Sequence, residues 1–115
     1  MMTLDGLTMY VSSTAADGVV NSDTRLRFHQ RGERVIARYS GGNVERGVLV
    51  GRLVGAKLTF RYAQRERDGL IQGGLSRCDV QEHAGRIRII ERFEWSTRVG
   101  SGINIFDEAP DAQGP

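Results

Sequence analysis

From Leu7 to Phe106 apolar and polar residues alternate in short runs, each closed by glycine, and no stretch keeps the helical period. Between Arg25 and Arg31, Leu26, Phe28 and Gln30 share one face, while Arg25, Arg27, His29 and Arg31 share the other. After Gly32 the alternation resumes with Val35, Ala37 and Tyr39 against Arg34, Ile36 and Arg38, and it stops at Ser40, Gly41 and Gly42. Two such runs joined by a tight glycine turn predict a hairpin. Lys57 to Glu66 repeats the arrangement, with Leu58, Phe60, Tyr62 and Gln64 facing one way and Thr59, Arg61, Ala63 and Arg65 the other. In 86–96 the inward set is Ile87, Ile89, Glu91, Phe93 and Trp95, so one carboxylate stands in an otherwise apolar column. Arg88, Ile90, Arg92 and Glu94 face outward.

Less regular strands are expected over 7–13, 44–53, 70–81 and 101–107, which brings the count to about eight, that of a small closed barrel. The pattern predicts an all-β chain, an antiparallel up-and-down meander closing into a lipocalin-like or avidin-like barrel. A two-layer sandwich with crossed connections is the alternative. Successive turns at Gly32, Gly42, Gly55, Gly69, Gly85 and Gly100 favour simple neighbour pairing. Gly47, Gly51, Gly73 and Gly74 fall within strands, where they permit sharp bends or leave room for a ligand. The barrel is expected over 1–108, and the small, polar, proline-bearing 109–115 reads as a disordered tail.

At 115 residues the chain fits one domain that buries roughly two thirds of its unfolded surface. No apolar stretch is long enough to cross a bilayer as a helix, and the first residues lack the basic and apolar regions of a secretory signal. The expectation is a soluble, cytoplasmic protein with no membrane partner. The single cysteine, Cys78, forms no internal disulfide and reads as a buried, inert thiol.

Charge is uneven. The chain carries 16 basic and 14 acidic residues, a net +2, and 15 of the basic residues are arginine. Setting aside Asp5, Asp107, Glu108 and Asp111 reduces the acidic count by four to 10, against 16 basic, a balance of +6 over the strands. Arg25, Arg27, Arg34, Arg38, Arg61, Arg65, Arg86, Arg88 and Arg92 take outward positions, and several can form one basic wall. Nucleic acid is still disfavoured as a partner, because Phe28, Phe60, Phe93 and Trp95 face inward and leave no platform for base stacking. Cross-strand pairs with Glu33, Glu45, Glu66 and Glu94 are the plainer use of the arginines.

Catalytic and metal motifs are missing from the sequence. His29 and His83 stand far apart with only Cys78 as a soft companion, so no metal site is expected. Nucleophile elbows, P-loops and dinucleotide fingerprints are absent, which leaves no expected cofactor and no assigned catalytic residue. The interior is more informative. Gln30, Tyr39, Tyr62, Gln64, Ser76 and Glu91 are expected to share one space with Phe28, Phe60, Phe93 and Trp95, an aromatic cup with a few polar fixtures. Small-ligand sites have that composition, because aromatic walls bury the ligand and polar groups orient it. Glu91 has three possible fates: pairing with an arginine such as Arg46 or Arg77, protonation by desolvation, or solvation at the barrel mouth.

Phe28-His29-Gln30, Ala37 to Gly42, Gly47 to Gly51, Arg61-Tyr62, Gly85 to Arg88 and Glu91 to Trp95 together resemble a small group of bacterial proteins of similar length. Members of that group often carry the name N-acetylglutamate synthase. The resemblance spans about 22–108 and implies a shared fold; its name implies acetyl transfer, for which Glu91 would be the general base. The run Arg52-Leu53-Val54-Gly55-Ala56-Lys57 lacks the second small residue of an acetyl-CoA phosphate loop and opens a strand.

Two readings of different class follow. The first is a noncatalytic module holding a small hydrophobic or amphipathic metabolite in the barrel, with Tyr39, Tyr62, Gln64, Ser76, Glu91 and Trp95 as its ligand-binding residues. The second is the acetyltransferase. A structural barrel filled with its own side chains, or a nucleic-acid-binding barrel, stands behind them. A homodimer is expected if Ile36, Val48 or Val50 and Ile90 converge on the outer wall.

Overall fold

The computed structural model describes residues 2–110, and every regular element among them is a strand. In chain order these are β1 (Thr8–Ser13), β2 (Arg25–Arg31), β3 (Arg34–Gly41), β4 (Val44–Val54), β5 (Lys57–Glu66), β6 (Ile71–His83), β7 (Arg86–Trp95) and β8 (Ser101–Glu108). Each pairs antiparallel with the next, and β8 returns to β1 through Met9 opposite Glu108 and Val11 opposite Phe106. The sheet is therefore a closed barrel with no crossed connection, which rules out the sandwich. Closure leaves no unpaired edge to recruit another chain.

The expected turn glycines, Gly32, Gly42, Gly55, Gly69, Gly85 and Gly100, all take positive φ. Two strand glycines have another purpose. A Cβ on Gly47 would overlap the Tyr39 ring, and one on Gly74 would overlap the Tyr62 ring end and the Glu94 carbonyl. These positions are bare because an aromatic side chain from the neighbouring strand lies against the backbone.

The inward faces divide the barrel into two halves. One end carries the β2–β3, β4–β5 and β6–β7 turns and is closed by the N-terminal segment. Leu4 is fully buried there, alongside Phe28, Val35, Leu53, Leu58 and Val80. Gln30 does not join the aromatic cup as expected. It turns to this closed end, where Nε2 donates to the Gly32 carbonyl (2.9 Å), Oε1 accepts from the Leu4 N–H (2.8 Å) and its own N–H donates to Asp5 Oδ1 (2.9 Å). Phe28 is likewise held beside the N-terminal segment, exchanging backbone hydrogen bonds with Gly6 and Leu7. The other end, the mouth, carries the 14–24 loop and the β3–β4, β5–β6 and β7–β8 turns.

Outside, ion pairs form with partners the alternation did not single out. Arg88 pairs with Asp107 (2.7 Å), and Arg92 (2.9 Å) and Lys57 share Asp79. Of the four expected carboxylates Glu33 takes an outer arginine, Arg52, whereas Glu66 is turned inward and Glu45 and Glu94 enter no ion pair among the described residues. Arg25, Arg27, Arg38, Arg46 and Arg65 line one outer depression. Ile36 and Val50 stand opposite one another with Val48 beside them, but Ile90 lies on β7, away from β3 and β4, and does not converge with them. Ala109 donates its N–H to the Thr8 carbonyl (2.9 Å), and the 111–115 part of the expected tail lies outside the described residues.

Candidate functional site

Alternation on β5 and β7 delivers four rings to the mouth half. Tyr62 meets Phe60 at 6.2 Å and Trp95 at 5.4 Å, and Phe93 meets Trp95 at 5.9 Å, all edge to face. Edge-to-face contact sets the positive rim of one ring against the negative face of the next. With Tyr39 and Phe106 these rings wall a cavity of about 30 Å³, whose polar lining is Gln64, Glu91 and Asn104. That volume holds a water or two and no metabolite, so the aromatic cup is nearly filled by its own side chains and the loop over it.

Glu91 is 5 % exposed, and its partners correct the arginine expectation. Ser76 Oγ donates to Oε2 (2.6 Å) and Asn104 Nδ2 to Oε1 (2.9 Å); Arg46 and Arg77 both lie exposed on the outer wall. Burial lifts the Glu91 carboxyl above its ordinary range, and the two hydrogen bonds oppose that rise. Its neighbours are driven the same way. Burial, reinforced by the Glu91 charge, pushes up the Tyr39 and Tyr62 hydroxyls and the Cys78 thiol. Cys78 is accordingly a protonated, unreactive group.

A second polar chain runs across the mouth. Tyr39 donates to Gln64 Oε1 (2.9 Å), Gln64 Nε2 donates to Glu66 Oε2 (2.9 Å), and Glu66 pairs with Arg98 from the β7–β8 turn. The Arg98 guanidinium lies 4.3 Å from the Trp95 ring centroid, and its buried Nε has no hydrogen-bond partner.

The 14–24 loop closes the mouth, bringing Gly18, Val19 and Val20 onto the cavity. Polar bonds pin it: Asn104 Oδ1 accepts from Thr14 Oγ1 (2.9 Å) and the Ala15 N–H (3.1 Å), and Trp95 Nε1 donates to the Asp17 carbonyl (2.9 Å). Asn104 thus bonds both the loop and Glu91.

Tyr39, Tyr62, Gln64, Glu91 and Trp95 are brought together on the cavity, and Ser76 sits behind Glu91 as its donor. Asn104, Arg98 and the 14–24 loop have no site signal in the sequence, and Glu66 is expected there only as an outer pairing partner for arginine. A signal existed for Glu66, which continues the inward parity of Leu58, Phe60, Tyr62 and Gln64. Among the described residues no three His, Cys, Asp or Glu side chains cluster as metal ligands.

With this geometry in view, one comparison is informative. A family model described as avidin-like protein matches residues 2–109. No curated protein and no solved structure matches the chain. The name N-acetylglutamate synthase finds no support in the family match.

Proposed function

This chain belongs to the avidin-like protein family, and we propose from that premise that it is a noncatalytic binding module whose barrel mouth takes up a small hydrophobic or amphipathic molecule. The observation that carries the reading is the convergence of a four-ring aromatic wall with Gln64 and Glu91 beneath a loop held by hydrogen bonds. Uptake displaces Val19 and Val20 and exchanges the bonds to Asn104 and Trp95 for bonds to water. Such an exchange costs little net free energy, roughly 0.5–1.5 kcal/mol per bond. The bound molecule then replaces the two valines against the rings.

The small cavity volume favours a second reading, a barrel filled by its own side chains with a structural role. Acetyl transfer would require a cleft beside Glu91 wide enough for acetyl-CoA, far more than the cavity of about 30 Å³ that lies there. Native mass spectrometry of the protein purified from its own host, with thermal-shift titration of whatever co-purifies, separates these readings. A bound small molecule that raises the melting temperature supports the binding module. An empty spectrum with no shift supports the filled barrel, and stabilisation by acetyl-CoA with glutamate would revive the transferase. A homodimer is a separate proposal, resting on the exposed Ile36, Val48 and Val50 without Ile90, and a monomeric mass in light scattering would overturn it alone.

A further inference from the structure

Charge in the mouth half does not balance. Glu66 and Glu91 are both buried there, at 6 % and 5 % exposure, and Arg98, the cation that enters, is committed to Glu66. Glu91 has no cationic partner among the described residues. Its two donors are neutral, and the Asn104 orientation is fixed independently. The Ala15 N–H can only donate, so the amide atom it reaches is Oδ1, and Nδ2 must face Glu91. A carboxylate buried among neutral donors is left with uncompensated charge, a costly arrangement unless something else supplies the counter-charge.

The walls around that carboxylate suit a cation. Rings offer their negative faces to ammonium and guanidinium groups, most strongly tryptophan, and Arg98 already lies on one side of Trp95. We propose that the molecule taken up by the mouth carries a cationic nitrogen, an ammonium or guanidinium group on an apolar body, with Glu91 as its counter-ion and Tyr62 and Trp95 as its aromatic wall. This rests on the binding reading above and narrows its ligand class. Arg98 is the protein's own version of the same contact, a cation held between a buried carboxylate and the Trp95 ring.

A pH signature follows. The titratable groups facing Glu91 are Cys78 on β6, Tyr39 on β3 and Tyr62 on β5, all held neutral by burial. Ser76 on β6 and Asn104 on β8 do not titrate, and on its own strand Arg92 and Glu94 face outward. Protonation of Glu91 in acid therefore removes the counter-charge with no neighbour to replace it.

Trp95 is the chain's single tryptophan, so fluorescence excited where tyrosine does not absorb reports this site alone. The probes are matched sets: phenethylammonium, 2-phenylethanol and 3-phenylpropanoate, with hexylammonium, hexanol and hexanoate as aliphatic counterparts. An ammonium probe is expected to saturate the signal at a concentration at least about tenfold below its alcohol or carboxylate counterpart. That preference shrinks as the pH falls through the raised Glu91 carboxyl, which then takes up its proton. Glu91→Gln brings the ammonium down to the level of the alcohol while alcohol binding persists. If that variant fails to fold, the wild-type pH comparison decides. Equal or tighter binding of the alcohol or carboxylate overturns the cation assignment and leaves the binding module standing. No saturable response from any probe, with an empty native mass spectrum, overturns both.

Discussion

The two ends of this barrel are closed by different forces. At the closed end the N-terminal segment drives Leu4 into an aliphatic core, and Gln30 fastens its backbone. At the mouth the 14–24 loop covers aromatic rings and buried polar groups, and bonds to Asn104 and Trp95 hold it down. Withdrawing Leu4 would expose apolar surface at a cost of about 1.5–3 kcal/mol for that side chain alone. Lifting the loop uncovers the half-buried Val19 and Val20, whose place against the rings a ligand can take, and returns polar groups to water, which hydrogen-bonds them almost as well. The lesson is that an end sealed by apolar burial is a plug, and an end sealed by hydrogen bonds can serve as a door.

The largest test of that contrast is Leu4→Ala, which is expected to lower unfolding free energy by about 2–5 kcal/mol in chemical denaturation. A loss under about 1 kcal/mol would mean that the segment covers the core without plugging it. Asn104→Ala removes the common partner of the loop and Glu91. It is expected to cost about 1–3 kcal/mol and to speed amide hydrogen exchange across 14–24 while the closed end keeps its protection. Uniform protection in that variant would contradict the door.

Glu91→Gln sharpens the comparison through pH. Burial raises the Glu91 carboxyl in the folded chain, so the folded state holds its proton more tightly than the unfolded chain does. The stability this contributes is complete below the ordinary glutamate value of 4.5 and is lost as pH rises through the raised one. The variant therefore gains on the wild type as pH rises across that window. A flat difference between the two pH–stability curves would show Glu91 to be unperturbed. Asp79 and Asp107, held low by their cationic partners, shift stability the opposite way but occur in both proteins and cancel. The smallest effect is expected at Val99 on the β7–β8 turn, which is 99 % exposed. Val99→Ser should change stability by less than about 0.5 kcal/mol.

Strand order and most inward positions were legible because a half-buried strand repeats every two residues, and glycine marks each turn. On β7 the parity placed Ile87, Ile89, Glu91, Phe93 and Trp95 inward, and all five are buried. The same rule failed on β8, where Ile103 and Ile105 alternate with Asn104 and Phe106, so apolar residues on the outward parity hid Asn104 among them. It also failed at Gln30, because parity assigns a face but not a height along the barrel axis.

The sequence by itself determined about eight strands joined as simple neighbours and most of the side chains that face inward, since alternation and turn chemistry are local properties of the chain; closure of the sheet came from the structure. Only the tertiary structure decided that Glu91 meets Ser76 and Asn104 in place of an arginine, that Arg98 and Glu66 pair across the mouth, and that 14–24 lies over the rings. Those are contacts between residues distant along the chain, set by strand tilt and register around the closed barrel and by a loop without periodicity.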